Sequence, residues 1–291
     1  MYTFTCFGEV LWDVFPDREK IGGAPLNVSM RLHVFGNDVA IISAVGNDEL
    51  GKKLITYLNE QNLSTQYVQV SNAYETGKVN VTLDESGSAS YDIKFPAAWD
   101  FIELDSTIQL VKASRVFIFG SLACRHLNSK NTLFELLEHA NFKVFDVNLR
   151  APHYNFELLN SLMSKANFIK FNDDELELIV KTFDQDCDNL EDQIKFISKK
   201  FSTSHICVTR GSKGAVLFIN DKLYFNEGFK VEVKDTVGAG DSFLGTLLHK
   251  LNANVSPQKA LNYACAVGAL VASAEGANPL IPESDIKKIM Q

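Results

Sequence analysis

Short runs of β-branched and aromatic residues alternate along this chain with segments of helical period, and no other feature limits the fold as tightly. Residues 39–45, 115–119, 143–147, 168–171 and 205–209 are short runs rich in β-branched and aromatic residues, so they read as strands. Between them, residues 24–35, 50–61, 131–139, 156–164 and 190–201 carry the apolar spacing of helices. Parallel strands need long crossover connections, usually helical, and both faces of such a sheet must be covered. The order therefore predicts an α/β fold: a three-layer α/β/α sandwich with a mostly parallel central sheet. With 291 residues, 46% of them hydrophobic, the chain can bury a large core. One main domain spanning 1–291 is expected.

Two places break the alternation. Residues 12–15 follow the first strand without a helix, and residues 76–93 read as a hairpin, with Val79, Val81 and Leu83 alternating before a turn at 85–88. These strands, from about 10–16 and 76–95, fit poorly in the parallel sheet. They predict a small antiparallel lid, whose exposed face is a natural homodimer surface; a β-meander on a sheet edge accommodates the same pattern.

The formal net charge of −8 repels phosphate backbones and anionic lipid, and the basic residues are scattered, so neither a nucleic acid nor a membrane partner is expected. Five cysteines, odd in number, far apart and without a C-x-x-C pair, argue against a disulfide framework and a zinc cluster. The most apolar late stretch, 260–274, is too short to span a bilayer, and the N-terminus lacks a basic segment followed by an apolar run. A reducing, cytoplasmic setting is expected.

The segment Asp235-Thr236-Val237-Gly238-Ala239-Gly240-Asp241-Ser242-Phe243 leads straight into an apolar helix. Gly238 and Gly240 let backbone approach a ligand, while the first-turn N–H groups and the helix dipole face an incoming anion. Asp241 places a carboxylate beside that pocket, where it could take a proton from an attacking hydroxyl. A helix N-cap with a shaped turn explains the segment equally well. The same logic applies to Ile21-Gly22-Gly23-Ala24-Pro25-Leu26-Asn27: Gly22 and Gly23 allow close approach, the proline suits a first helical turn, and Asn27 offers a donor and an acceptor to a polyol. Asp13, after the first strand, could hold a pair of hydroxyls. Gly46-Asn47-Asp48-Glu49-Leu50-Gly51-Lys52-Lys53 nearly matches a P-loop, but Lys53 stands where the magnesium-binding hydroxyl belongs; it reads as a turn opening a helix. Phe243 occupies the third glycine position of a dinucleotide fingerprint, which weakens a dehydrogenase reading.

Together these segments resemble the PfkB (ribokinase-like) carbohydrate kinase family: residues 22–51 look like its N-terminal signature and 235–248 like its C-terminal one. The resemblance covers nearly the whole chain. It implies a ribokinase-like domain with a β-sheet lid, ATP with Mg2+ near the C-terminal signature, and a small-molecule sugar between lid and sheet. Asp241 is then the catalytic base, and Gly238, Ala239 and Gly240 form the anion hole. Asn172 and Glu175 match the family's N-x-x-E, associated with magnesium and phosphate, and Thr209 and Gly211 its nucleotide-binding T-x-G. Read alone, the former is an acidic helix start and the latter the approach to a hairpin. The resemblance also implies a monovalent cation, K+, held by Asp235 with the backbone carbonyls of Val237 and Gly276. Leu280 stands where ribokinases often carry a small polar residue.

The Gly-Gly-Ala-Pro-Leu-Asn run is similar to fructokinases, and Asp146-Val147-Asn148-Leu149-Arg150 resembles the D-x-N-x-R of fructokinases and 2-keto-3-deoxygluconate kinases, with Arg150 near the sugar or the transferred phosphate. Tyr91, Phe95 and Trp99 would offer aromatic surfaces to a sugar face. Fructose ranks first, another ketose or a deoxy-keto acid second, ribose or a nucleoside third. A sugar-binding regulator that kept the fold without the chemistry is the alternative from another class.

Overall fold

The computed structural model describes residues 2–83, 89–185, 187 and 189–291. Its strands are β1 (Phe4–Phe7), β2 (Leu11–Val14), β3 (Glu19–Gly22), β4 (Val39–Gly46), β5 (Val68–Ser71), β6 (Gly77–Leu83), β7 (Ala89–Ile93), β8 (Val116–Gly120), β9 (Lys143–Asp146), β10 (Phe168–Asn172), β11 (His205–Thr209), β12 (Ala215–Ile219) and β13 (Lys222–Asn226). The helices are α1 (Ala24–Val34), α2 (Glu49–Glu60), α3 (Thr107–Ala113), α4 (Leu127–His139), α5 (Phe156–Lys165), α6 (Asp173–Lys181), α7 (Leu190–Phe201), α8 (Ala239–Asn252), α9 (Pro257–Ala272) and α10 (Glu283–Ile289).

Nine strands form one sheet in the order β13-β12-β11-β10-β9-β8-β1-β4-β5. Every pairing from β5 to β11 is parallel; β12 and β13 close one edge antiparallel. Alternate strand residues serve opposite faces. Phe7, Phe117, Phe119 and Phe145 pack against Leu133, Leu136, Leu159 and Leu162 from α4 and α5. Phe4, Cys6, Ile118 and Val144 pack against Leu26, Leu54, Leu244 and Leu261 from α1, α2, α8 and α9. The expected three-layer sandwich is the fold observed. None of its helices, among the described residues, is long and apolar enough to cross a membrane.

A second sheet, of order β3-β2-β6-β7, rises from the first. Two details depart from expectation. The charged run Glu19–Gly22 is a strand, paired antiparallel with β2, and β2 pairs with β6 in parallel, so the small sheet is mixed rather than antiparallel. The turn expected at 85–88 lies outside the described residues.

Both roots of this hairpin are pinned. Before β6, Asp48 caps α2 through the Gly51 N–H (2.8 Å) and also accepts from Thr76 N–H (2.8 Å) and the Thr76 hydroxyl (2.7 Å), which is what the near P-loop does here. After β7, the Arg125 guanidinium donates to the Lys94 carbonyl (2.7 Å) and to both oxygens of Asp100 (2.7 and 2.8 Å) while lying 3.9 Å over the Trp99 ring. Asp100 and Arg125 are 0% and 2% exposed. Removing one partner of such a pair strands a buried charge. Asp100→Ala is therefore expected to destabilise the fold by about 3–5 kcal/mol, read as a lower urea midpoint with an unchanged denaturant slope; an unaltered midpoint would show that the pair contributes nothing.

Candidate active site

The chain leaves β1 towards β4 on one side of the sheet and later returns to lay β8 on the other, so the topology reverses between β1 and β8. Ligand crevices in such sheets open beyond the carboxyl ends of the strands at that point. A cavity of about 570 Å³ lies there. Its floor carries residues just past strand ends: Glu9 after β1, Leu122 after β8, Asn148 and Arg150 after β9, Asn172 ending β10 and Thr209 ending β11. One wall is the apolar face of the small sheet, Leu11, Phe15, Val79 and Ile93. The opposite wall is the turn entering α8: Thr236, Val237, Gly238, Gly240 and Asp241.

That turn is built by two glycine-dependent contacts. Gly238 caps α8 at φ 75°, and a Cβ there would sit 2.6 Å from Ala277 atoms, so only glycine fits both the backbone and the packing. Gly240 and Asp241 lie in the first helical turn, where N–H groups have no intrahelical partner. The N-terminal turn is similar: Gly23 adopts φ 111°, and a Cβ would meet the Glu9 carbonyl at 2.4 Å. Gly22 serves differently, leaving room for the Asp13 carboxylate, 2.6 Å from where its Cβ would be.

The two turns meet side chain to side chain. Asn27 Nδ2 donates to Asp241 Oδ2 at 2.8 Å, and Asn27 Oδ1 accepts from Asn278 Nδ2 at 2.8 Å. Asp241 is thus no N-cap: its carboxylate turns towards α1 and the cavity. Arg31, buried on α1, donates to the Ser242 hydroxyl (3.2 Å) and the Pro279 carbonyl (3.0 Å), holding the same three segments together.

Charge is unusual here. Burial, reinforced by the nearby Asp146 carboxylate, pushes Asp241 up to about 6 against the lowering pull of Asn27, Lys170 and Arg150. Burial likewise raises Asp13 to about 6 and Glu9 to about 7. Glu9 is 4% exposed, and its Oε2 has no hydrogen-bond partner. Beneath Gly240 lies a buried ion pair, Lys170 Nζ to Asp146 Oδ1 at 3.0 Å, with Lys170 reaching the cavity. Three carboxyl groups with raised pKa around one cavity mark a site tuned to hold and move protons.

Asp13, Gly23, Asn27, Arg150, Asn172, Thr209, Val237, Gly238, Gly240 and Asp241, all picked out from sequence, line this cavity. Gly22, Ala239, Glu175, Gly211, Asp235 and Gly276 stand behind it. Glu175 is spent on structure: its oxygens accept the Leu149 N–H (2.8 Å) and the Asn172 N–H (2.8 Å), the latter completing the capping box that starts α6. Gly211, at φ 54°, forms the tight turn between β11 and β12. Asp235 and Gly276 bond one another, Gly276 N–H to Oδ2 at 3.2 Å. The aromatic surfaces are placed differently from expectation: Trp99 is fully buried and Phe95 points to solvent, so neither lines the cavity, whereas Phe15 does; the Tyr91 side chain lies outside the described ones. Glu9, Lys20, Asn148 and Lys170 were not singled out from the sequence. Asn148 had a signal, sitting inside the quoted D-x-N-x-R run, and it adopts the left-handed φ of 38° that marks constrained positions.

A family model described as pfkB family carbohydrate kinase matches residues 4–284. Fructokinase-2 of Zea mays is 27% identical over 307 residues, covering 95% of this chain and 90% of that protein. The crystal structure of a fructokinase with bound ATP from Xylella fastidiosa superposes with a TM-score of 0.87 at 22% identity, covering 100% and 98% of the two chains. A fructokinase double mutant from Vibrio cholerae in fructose-, ADP- and potassium-ion-bound form gives 0.84 at 23% identity, covering 99% and 98%.

The Asn27 contact favours the ionised form of Asp241, so Asn27→Leu is expected to raise the Asp241 pKa further above about 6, measured by carbon-detected NMR titration of the aspartate carboxyls. An unmoved titration would show that the contact does not tune Asp241.

Proposed function

The chain belongs to the pfkB family of carbohydrate kinases, and we propose that it transfers the terminal phosphoryl group of ATP to a hydroxyl of fructose. The observation that carries this reading is the Asp241 carboxylate: it faces the cavity from the first turn of α8, hydrogen-bonded to Asn27, beside N–H groups that suit an anion. A hydroxyl oxygen held there attacks the terminal phosphorus as the bond to the bridging oxygen of ADP breaks. Its proton passes to Asp241, whose raised pKa suits it to accept near neutral pH. The first-turn amides and the Lys170 ammonium face the charge that develops on the transferring group.

Asn172 and Thr209, at the ends of β10 and β11, border the side of the cavity where the nucleotide would lie, as the family's motifs imply. When bound, magnesium supplies charge neutralisation on the β- and γ-phosphates. Among the described residues there is no cluster of three or more acidic, His or Cys side chains to hold such an ion by themselves, and the Glu175 carboxyl that the family's motif would set near it is engaged in its capping box. The likeness to fructokinases supports fructose. So does the cavity: Glu9, Asp13 and Asp241 offer hydrogen-bond partners to the hydroxyls of a neutral polyol.

ADP release is to be measured with fructose, 2-keto-3-deoxygluconate, ribose, tagatose and adenosine. Fructose is expected to lead in kcat/KM by about tenfold or more; turnover of another sugar instead would overturn the substrate, and binding of ATP and sugar without turnover would favour a regulator. Asp241→Asn is expected to lower kcat by a factor of about 10²–10⁴ with little change in the KM for ATP. Because the base must be ionised, kcat/KM should fall as pH drops through about 6 and level off above it. A flat profile in that range, or near-normal turnover of the Asn variant, would remove Asp241 from the mechanism.

A further inference from the structure

The family resemblance set a monovalent cation on the Asp235 carboxylate, with the backbone carbonyls of Val237 and Gly276. The structure fills that carboxylate with donors from the chain. Its Oδ1 accepts the Val237 N–H at 3.0 Å, and its Oδ2 accepts the Gly276 N–H at 3.2 Å. A third donor comes from far away in sequence: the Lys20 ammonium on β3, 3.1 Å from the same Oδ2. The two side chains are 31% and 21% exposed, so the pair is largely sheltered. Burial alone would raise the Asp235 carboxyl, but the Val237 N–H, the ammonium and the Gly276 N–H outweigh it and hold the group below the ordinary carboxylate range.

Lys20 is delivered there by the small sheet. It stands directly opposite Asp13 in the β2–β3 ladder, so both side chains leave on one face, the face that borders the cavity. A free monocation approaching Oδ2 would have to share one oxygen with an ammonium already in contact, and like charges that close repel. At Leu280 the chain presents an exposed apolar side chain with no oxygen to give. The donor set therefore does not fit a potassium ion.

We propose that Lys20 is a tethered counter-ion for Asp235, taking the part of a bound monovalent cation and making turnover independent of potassium. It is a positioning residue: by fixing Asp235 it fixes the Val237 N–H, and through it the turn that leads to Gly238 and Asp241. The proposal rests on the reading of that turn as the phosphoryl pocket, but cation binding itself can be followed without turnover.

The test compares the parent chain, Lys20→Met and Lys20→Arg in potassium chloride and in choline chloride at matched ionic strength, by ADP release and by thermal unfolding. The parent and Lys20→Arg are expected to show the same turnover, within about twofold, and the same Tm in both salts. Lys20→Met should lose about tenfold or more in choline chloride, regain most of it in potassium chloride, and show a Tm rise specific to potassium. The proposal is overturned if the parent is itself activated by potassium with a matching Tm rise, or if Lys20→Met turns over normally in choline chloride. It is equally overturned if Lys20→Met, folded by circular dichroism, stays slow in both salts, which would assign Lys20 to the substrates. Should no sugar be phosphorylated at all, the Tm comparison still reads the cation site, so failure of the kinase reading and failure of this one are told apart.

Discussion

The hydrogen bond from Asn27 to Asp241 joins the two halves of the site at the reacting carboxylate, and the packing around it brings those residues within 2.8 Å. They begin helices 214 residues apart in sequence. Gly245 lets α8 lie close on α1, where a Cβ would meet Arg31 at 3.1 Å, and Arg31 reaches from α1 to both α8 and the segment carrying Asn278. Fixing the two helix starts side by side fixes the direction of the Asp241 carboxylate. It also shields that half-buried carboxylate from much of the surrounding water, and the raised proton affinity follows from the same shielding. Geometry and basicity thus share one cause.

The cavity collects acid groups and lets few of them stay fully charged. Glu9, Asp13 and Asp241 are all raised by burial, while the Lys170–Asp146 pair beneath Gly240 supplies a permanently placed ammonium. Such a pair does little for net stability, since both charges have left water. Its use is local, putting positive charge near a glycine turn that already presents amides to an anion.

Much of this was legible in the sequence because it depended on local chemistry. The β/α alternation reported the sandwich, and the two glycine turns reported the walls of the cavity, since a positive φ or a close backbone approach leaves its mark on residue type at the position itself. What escaped depended on contacts across the fold. Glu19–Gly22 is a strand because β2 pairs with it, although its composition is charged and its length only four residues. The N-x-x-E motif did not tell that the Glu175 oxygens also accept two backbone N–H groups, one of them at Leu149 beyond the end of β9. Trp99 looked like a stacking surface until Arg125 and the core enclosed it. Glu9 and Lys20 carry no motif; their interest comes from what stands opposite them in space.

The Asn278–Asn27 contact spans 251 residues and has a consequence for synthesis. As the chain emerges from the ribosome, β1, β4 and β8 can pair before α8 exists, while the face that α8 and α9 help to cover stays open. Through that interval the Asn27 amide and the Arg31 guanidinium, both destined for the interior, have no partners and must stay hydrated. The N-terminal turn therefore gains its polar partners only when α8 and the segment carrying Asn278 arrive, so the pocket is assembled after the early sheet rather than inherited from it.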